Sequence, residues 1–255
     1  MTSARYTYGD SEFAADRLDL VARMFEPTTR RFLKRAGIAE PRLAIDLGCG
    51  PGNTTRLIAD VLRPARTVGL DRSAIYLERA RRGAPPGVEF QEHDALVTPF
   101  PFGPTDVCFC RLLLAHLPDR VDVVARWATQ LAPAGVLLLD EIEDFQSDQV
   151  ALLDYVRLAS AVVERAGGRL VAGPELAAMS DPPGTERVAD EAVLMDVSAS
   201  DTATIFAMNL AVLVEGSEVE PQPELAAALA DVGGRENGHI EWRVRQIAFR
   251  RAALR

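Results

Sequence analysis

Lysine is almost absent from this chain of 255 residues. Lys34 is the one lysine, and the remaining residues of fixed positive charge are all arginine. A P-loop that binds nucleoside triphosphates needs a lysine at its glycine-rich loop, so this class of site is excluded. Schiff-base chemistry has almost no candidate side chain for the same reason.

A basic surface and long apolar runs are missing as well. The formal net charge is −9, which argues against nucleic acid as the main partner, because phosphate contacts need lysine and arginine at the surface. No run of 18 uncharged apolar residues occurs, and no apolar segment follows the first residues. We therefore expect no membrane span, no secretion signal and a cytoplasmic location.

Cysteine is too scarce for a disulfide framework. The three thiols are Cys49, Cys108 and Cys110. Cys108 and Cys110 are two residues apart in a strand pattern, which places them on one face of that strand. We interpret all three as buried apolar side chains in a reducing compartment. No group of residues predicts a metal site.

The most informative stretch that is present is Leu43–Thr55, with the sequence LAIDLGCGPGNTT. A short apolar run contains Asp46, three glycines alternate, and a polar turn leads into a helical pattern. Gly48, Gly50 and Gly52 allow backbone angles that other residues avoid and let a ligand approach the main chain. Their G-x-G-x-G spacing differs from the G-x-G-x-x-G of dinucleotide-binding folds. The stretch predicts a strand, a tight loop and a helix N-terminus at the ligand-binding edge of a sheet.

Apolar strands alternate with amphipathic helices through the first part of the chain. This alternation predicts right-handed βαβ units and a parallel sheet with helices on both faces. An acidic residue recurs where predicted strands end, at Asp46, Asp71, Asp94 and Glu141. One such acid is explained equally well as a solvated loop residue. Repeated carboxylates at one edge of a sheet instead indicate that a ligand uses them.

Together these motifs resemble those of the class I S-adenosylmethionine-dependent methyltransferases. Ile45–Gly52 resembles the first motif of that family, and Leu113–Asp119 resembles the stretch after its fourth strand. The resemblance extends over about Leu43–Glu141. It implies a doubly wound α/β fold, the Rossmann-like methyltransferase fold, with a seven-stranded, mostly parallel sheet whose last strand is antiparallel.

The resemblance also implies that S-adenosylmethionine binds at this edge of the sheet. Asp71 matches the acid that bonds the ribose hydroxyls, and we count Arg72, which follows it, among the predicted cofactor-binding residues. Asp94 and Ala95 match the positions beside the adenine. A ribose diol and an adenine amine are hydrogen-bond donors, and carboxylates accept from them. The cofactor carries no phosphate, so its loop needs no lysine.

Further residues complete the predicted cofactor site. Asp46 and the three loop glycines belong to the first motif. Tyr8, on the N-terminal extension, is predicted to reach the methionine carboxylate, with Tyr6 as an alternative. Arg111 ends the fourth strand, where it holds the cofactor carboxylate or an anionic substrate, or else forms a surface ion pair.

We divide the single predicted domain into segments. The N-terminal segment is a helical lid in which Pro27 interrupts the helix, and we expect residues 1–25 to become ordered when the cofactor binds. The segments are 1–37 for the lid, 38–145 for the cofactor-binding core, 146–183 and 200–232 for cap helices over the substrate, and 184–199 and 239–255 for the final strands.

Three side chains are candidates for a catalytic base. His116 follows the fourth strand, near the place where a methyl group would lie. Glu141 and Asp144 leave the fifth strand toward the predicted pocket. Each has a structural alternative as a turn residue. Methyl transfer from a sulfonium is an in-line displacement that needs alignment, exclusion of water and only sometimes a base.

The sequence therefore predicts transfer of a methyl group from S-adenosylmethionine to an oxygen or nitrogen atom of a small molecule, with carbon as a further alternative. Cys110–Leu113 stands where amide- and base-modifying members of that family carry an Asn/Asp-Pro-Pro-aromatic box, so the sequence disfavours those two activities. We expect a role in bacterial specialised metabolism. Two other classes stay open, a catalytically silent cofactor-binding or scaffold protein and a nicotinamide-dependent oxidoreductase. The oligomeric state also stays open, with a homodimer among the alternatives.

Overall fold

A seven-stranded sheet with the order β3-β2-β1-β4-β5-β7-β6 runs through the centre of the molecule. The computed structural model describes residues 9, 11–38, 40–235 and 238–253. The first five strands are parallel, and β7 runs antiparallel between β5 and β6. The predicted fold class is confirmed. The strands are β1 (Leu43–Leu47), β2 (Arg66–Asp71), β3 (Val88–Glu92), β4 (Thr105–Arg111), β5 (Leu131–Ser147), β6 (Thr185–Leu194) and β7 (Ile240–Arg251).

Helices cover both faces of the sheet, which is why every residue of β1 is buried. Trp127 packs with Ile45 and Leu47 on one face, whereas Phe32 packs with Ala44 on the other. A single 3₁₀ turn, Leu114–His116, follows β4. The helices are α1 (Glu12–Arg35), α2 (Asn53–Leu62), α3 (Ala74–Arg81), α4 (Arg120–Ala128), α5 (Val150–Arg165), α6 (Gly173–Ala178), α7 (Ala199–Glu215) and α8 (Pro223–Gly233).

The helix α1 continues through Pro27, so the predicted interruption there is wrong. Proline removes one backbone donor and costs about 3 kcal/mol in an exposed helix interior. Here Thr28 Oγ1 donates to the carbonyl oxygen of Phe25 at 2.9 Å, and Phe25 and Phe32 are buried on either side of the proline. Packing against the rest of the molecule outweighs the local penalty. The two parts of the predicted lid on either side of Pro27 therefore form one continuous helix.

The strand β5 continues well beyond Glu141, where the sequence predicts its end. It runs from Leu131 to Ser147, and its pairing with β7 extends to Ser147 opposite Ile240. The extension carries Phe145 beyond the edge of the parallel strands. There Phe145 packs against Phe206 and Trp242, with ring centroids 5.6 and 5.5 Å apart.

Helices occupy both segments predicted as caps, with α5 and α6 in the first and α7 and α8 in the second. Side chains of α1, α5 and α7 meet those of β5 and β7 in one apolar cluster at this end of the sheet. Within the part of the chain that the structure describes, no helix is long and apolar enough to cross a membrane.

Candidate active site

The glycine loop between β1 and α2 has the backbone conformation that its sequence predicts. Gly48, Gly50 and Gly52 have φ values of +67°, +52° and +86°. This left-handed region is strained for other residues. The backbone N–H groups of Gly48 and Cys49 both donate to the carbonyl oxygen of Leu70, at 2.8 and 3.0 Å. These bonds fix the loop to the end of β2.

Asp71, the last residue of β2, holds the loop in place with its carboxylate. Oδ2 accepts from the backbone N–H of Gly50 at 2.8 Å, and Oδ1 accepts from that of Ser73 at 2.8 Å. Burial raises the pKa of Asp71, and the two N–H groups oppose that rise. Each carboxylate oxygen has more than one acceptor position. The carboxylate can therefore hold the loop and still accept from a ligand diol.

Asp46 lies beneath the loop, with 1% of its surface exposed. Its Oδ2 accepts from Thr55 Oγ1 at 2.6 Å, which ties β1 to the first turn of α2. Burial raises the pKa of Asp46 to about 7. In the structure Asp46 is paired with Thr55 of α2. Its contact with a cofactor stays a prediction.

Asp94 and Ala95 follow β3, the strand next to β2. Asp94 is exposed, and its Oδ1 accepts from the backbone N–H of Leu96 at 2.9 Å. The carbonyl oxygen of Ala95 accepts from Trp127 Nε1 at 2.7 Å, which fixes this turn against α4. Arg72 is exposed beside Asp71. The predicted adenosine contacts thus come from the ends of adjacent strands.

Arg111, at the end of β4, is half-buried beneath α1. Its Nη1 donates to Thr29 Oγ1 at 3.3 Å, and its guanidinium lies 5.6 Å from the ring centroid of Phe25. Burial lowers the pKa of Arg111. Its predicted contact with a carboxylate stays a prediction. Arg111 also lines a polar cavity of about 250 Å³ together with Asp19, Ala22, Arg23, Glu26, Asn53, Thr54 and Leu57.

A second cavity, of about 110 Å³, lies where α1, α5 and α7 meet the ends of β5 and β7. We call it the cap cavity. Its described lining is mostly aliphatic and aromatic, and it contains no carboxylate. The lining residues are Arg17, Leu18, Val21, Phe25, Leu112, Ala115, His116, Ile142, Phe145, Tyr155, Val156, Leu170, Val171, Ile205, Phe206, Asn209 and Trp242.

Arg17 is a lining residue that no sequence motif indicates. Only 3% of its surface is exposed, and its Nη1 donates to Asn209 Oδ1 of α7 at 2.6 Å. Arg17, Val21 and Phe25 are four residues apart and so lie on one face of α1. That spacing was the available signal, an arginine in line with apolar residues. Its partner Asn209 is 192 positions away, which no local pattern indicates.

His116 lines the cap cavity from the 3₁₀ turn after β4. Burial, and then the charges of Arg17 and Arg72, lower the pKa of His116 to about 4. The imidazole is therefore neutral at pH 7. A group with this pKa is a weak proton acceptor for an alcohol or an amine.

The other two predicted bases lie outside the described lining of the cap cavity. Glu141 is fully buried, and its Oε1 accepts from the backbone N–H of Leu114 at 2.8 Å. Burial raises its pKa to about 8. Asp144 accepts from Gln146 at 2.7 Å and pairs with Arg243 at 3.5 Å. Both carboxylates thus have partners within the fold. Their roles as bases stay predictions.

The helix α1 covers the glycine loop. A Cβ atom at Gly50 would lie 3.4 Å from Leu18 Cδ1. Arg79 of α3 fixes this end of the helix through ion pairs of 3.0, 2.7 and 2.6 Å with Glu12, Asp16 and Asp19. Tyr8, the predicted contact to the methionine carboxylate, and Tyr6 lie outside the described residues. Ordering of the segment by the cofactor stays a prediction.

Comparison with known families and structures agrees with this geometry. Residues 44–135 match the model of the methyltransferase domain family. The matched residues include the glycine loop, Asp71 and Asp94. The predicted resemblance to class I S-adenosylmethionine-dependent methyltransferases is thereby confirmed.

Relatives of known sequence match about half of the chain. Over 142 residues, the chain is 36% identical to the trans-aconitate 2-methyltransferase of Methylobacterium nodulans. The matched stretch covers 52% of this chain and 54% of that relative. The chain thus matches about half the length of the relative.

Solved structures with this fold extend over most of the chain. A candidate methyltransferase of Bacillus halodurans C-125 has a TM-score of 0.61 at 16% identity and covers 88% of this chain and 98% of its own. Coclaurine N-methyltransferase bound to N-methylheliamine and SAH has a TM-score of 0.59 at 18% identity, covering 89% and 72%. At such identities the likeness shows the fold alone. Neither the silent scaffold nor the nicotinamide oxidoreductase finds support among these proteins.

Proposed function

We propose that this methyltransferase-domain protein transfers the methyl group of S-adenosylmethionine to a carboxylate oxygen of a small organic acid. The observation that carries the proposal is the buried Arg17, which Asn209 of α7 orients in the wall of the cap cavity. A buried guanidinium is well suited to hold an anionic group. The relative of Methylobacterium nodulans is named for a carboxylate substrate, trans-aconitate.

The weak base in the cavity agrees with a carboxylate acceptor. A carboxylate is already ionised at neutral pH, so its oxygen attacks without giving up a proton. A hydroxyl or ammonium acceptor needs a base, and His116, with its pKa lowered to about 4, is poorly suited to that task. We therefore assign His116 to the wall of the cap cavity and give it no part in removing a proton from the acceptor.

The predicted cofactor-binding residues would each contact a different part of S-adenosylmethionine. The glycine loop would hold the cofactor through its main chain, Asp71 would accept from the ribose hydroxyls, and Asp94 would accept from the adenine amine. When bound, S-adenosylmethionine supplies an electrophilic methyl group on a positively charged sulfur. Two structural features fit this group, the positive φ at Gly50 and the acceptor positions left on Asp71. The α1 helix above the loop excludes water from the site.

We also infer that the chain acts in the cytoplasm and does not use nucleic acid as its substrate. Its net charge of −9 is unfavourable for contacts with phosphates. Its three cysteines are free and buried, which suits a reducing compartment. Association into a homodimer stays a prediction.

Methyl transfer can be tested with S-adenosylmethionine that carries an isotopically labelled methyl group. The protein is incubated with this cofactor and a mixture of small mono-, di- and tricarboxylic acids, and products are detected by mass spectrometry. We expect a labelled ester that mild base hydrolyses, formed in equal amount with S-adenosylhomocysteine. A labelled product that survives base treatment, or cofactor binding without any labelled product, would contradict the proposal.

A further inference from the structure

Residues 112–116, which we call the β4 turn, contact both the cofactor loop and the cap cavity. The side chain of Leu113 packs on the glycine loop, with Cδ2 2.9 Å from the position that a Cβ atom of Gly48 would take. Leu112, Ala115 and His116 line the cap cavity from the same turn. A shift of the β4 turn would therefore disturb the cofactor loop and one wall of the cap cavity together.

The backbone of the β4 turn is strained at its first residue. Leu112 has a φ of +56°, in the left-handed region that leucine avoids. Its backbone N–H donates to the carbonyl oxygen of Asp140 at 3.2 Å. A residue in this conformation persists only where the surrounding structure holds it, and such strain clusters at functional sites. The β4 turn thus depends on contacts from neighbouring elements.

Glu141 of β5 makes one of these contacts with its side chain. Its Oε1 accepts from the backbone N–H of Leu114 at 2.8 Å. Burial raises the pKa of Glu141, and the backbone N–H groups of residues 113–115 oppose that rise. From α4, Arg120 Nε donates to the carbonyl oxygen of Leu114 at 3.3 Å. Side chains of β5 and α4 therefore hold the centre of the β4 turn from its N–H and from its carbonyl group.

The packing of the core alone does not call for a carboxyl at this position. Glu141 is fully buried, and among the described residues its Oε2 has no hydrogen-bond partner. A buried polar group without a partner destabilises the fold, whereas an apolar side chain of similar volume would fill the same space without that cost. The feature that does call for a polar side chain is the backbone of the β4 turn.

Building on the proposed function, we propose that Glu141 is a positioning residue, which holds the β4 turn between the cofactor loop and the cap cavity and takes no proton from the acceptor. At neutral pH the carboxyl retains its own proton, because burial raises its pKa to about 8. In-line transfer requires close alignment of the acceptor with the methyl group, and a displacement of about 1 Å can lower the rate about a hundredfold.

Two substitutions of Glu141 separate positioning from base catalysis. In calorimetry on the full chain at pH 7, Glu141→Leu is expected to bind S-adenosylhomocysteine at least about tenfold more weakly, because Leu114 loses its acceptor and Leu113 shifts on the glycine loop. Glu141→Gln keeps an oxygen for Leu114 and is expected to bind within about twofold of the unaltered chain. With an acid that the unaltered chain methylates, Glu141→Gln is expected to retain kcat, whereas loss of a base lowers it by about 10²–10⁴.

Thr105→Val is the matched control for a general loss of stability. Thr105 is fully buried at the other end of β4, where its Oγ1 donates to the carbonyl oxygens of Leu43 and Val107 at 3.0 and 2.7 Å. We expect a lower melting temperature and unchanged cofactor affinity. If Glu141→Leu does not fold by circular dichroism, Leu113→Ala replaces it. That variant removes the contact with Gly48 and is expected to weaken cofactor binding at least about tenfold.

Undiminished cofactor binding by Glu141→Leu, or by Leu113→Ala where it replaces that variant, would overturn the inference. Equal weakening by Thr105→Val would overturn it as well, because the effect would then be general. A Glu141→Gln protein that binds the cofactor normally but has lost methyl transfer would identify Glu141 as a base. If the unaltered chain methylates no acid, the proposed function fails, and the cofactor affinities of the variants decide the inference alone.

Discussion

The Gly50→Val protein is expected to lose S-adenosylmethionine binding, with Kd raised by at least about a hundredfold. Gly50 has φ +52°, a conformation that valine adopts only with strain. Such strain costs about 1–3 kcal/mol. The added Cβ would also lie 3.4 Å from Leu18 Cδ1, so the valine methyl groups would press against α1, which covers the loop. Because Gly50 donates to Asp71, a shift of its backbone disturbs the ribose acceptor as well.

Gly83→Val is the matched control for this change. Gly83 also has a positive φ, +74°, but no atom lies within 4 Å of the position a Cβ would take, and the residue is exposed after α3. The backbone strain is thus comparable, whereas the cofactor loop is unaffected. We expect a lower melting temperature and unchanged cofactor affinity. Calorimetric binding by a folded Gly50→Val protein equal to that of the Gly83→Val protein would refute the role of the loop.

Replacement of Glu141 by glutamine is expected to change how stability depends on pH. Burial raises the pKa of Glu141 from 4.5 to about 8 in the folded state. A carboxyl with a raised pKa stabilises the fold while it is protonated, and that stability is lost as the pH rises through the folded pKa. Between about pH 4.5 and pH 8, we expect the unaltered chain to lose roughly 3 to 5 kcal/mol relative to Glu141→Gln.

The difference in the free energy of unfolding between Glu141→Gln and the unaltered chain reports on Glu141 alone, because all other titrating groups are common to both proteins. Glutamine keeps an oxygen that can accept from the N–H of Leu114, and any cost of its amide group is the same at every pH. Urea unfolding at several pH values measures the difference. Glu164→Gln, at an exposed position of α5, is expected to follow the unaltered chain. A constant difference between Glu141→Gln and the unaltered chain from pH 5 to pH 8 would show that Glu141 ionises normally.

The cofactor end of the sheet could be predicted from sequence because its determinants are local. The glycines between β1 and α2 alternate within five residues, and Asp71 follows directly from the apolar run of β2. A tight loop and a strand end depend on neighbours in the chain. Local reasoning was wrong at Pro27. The rule that proline breaks a helix interior predicts an interruption there, whereas the buried Phe25 and Phe32 keep the helix continuous.

The acceptor end could not be predicted in the same way. The cap cavity brings together side chains from α1, α5, α7, β5 and β7, elements far apart in the chain. The bond from Arg17 to Asn209 depends on how two helices pack. The lowered pKa of His116 depends on burial and on the charges of two arginines from other parts of the chain. Such pairings arise from tertiary packing, which the local pattern of one sequence does not fix.

Calorimetric titration with S-adenosylmethionine, on the unaltered chain and on Asp71→Ala, tests the assignment of the cofactor site most directly. Hydrogen bonds to charged groups contribute roughly 1.5–3 kcal/mol, so we predict saturable binding by the unaltered chain and about tenfold to a hundredfold weaker binding by Asp71→Ala. Asp60→Ala, which removes a 65% exposed carboxylate of α2, is predicted to bind as the unaltered chain does. Absence of binding by the unaltered chain, or undiminished affinity in a folded Asp71→Ala protein, would contradict the account.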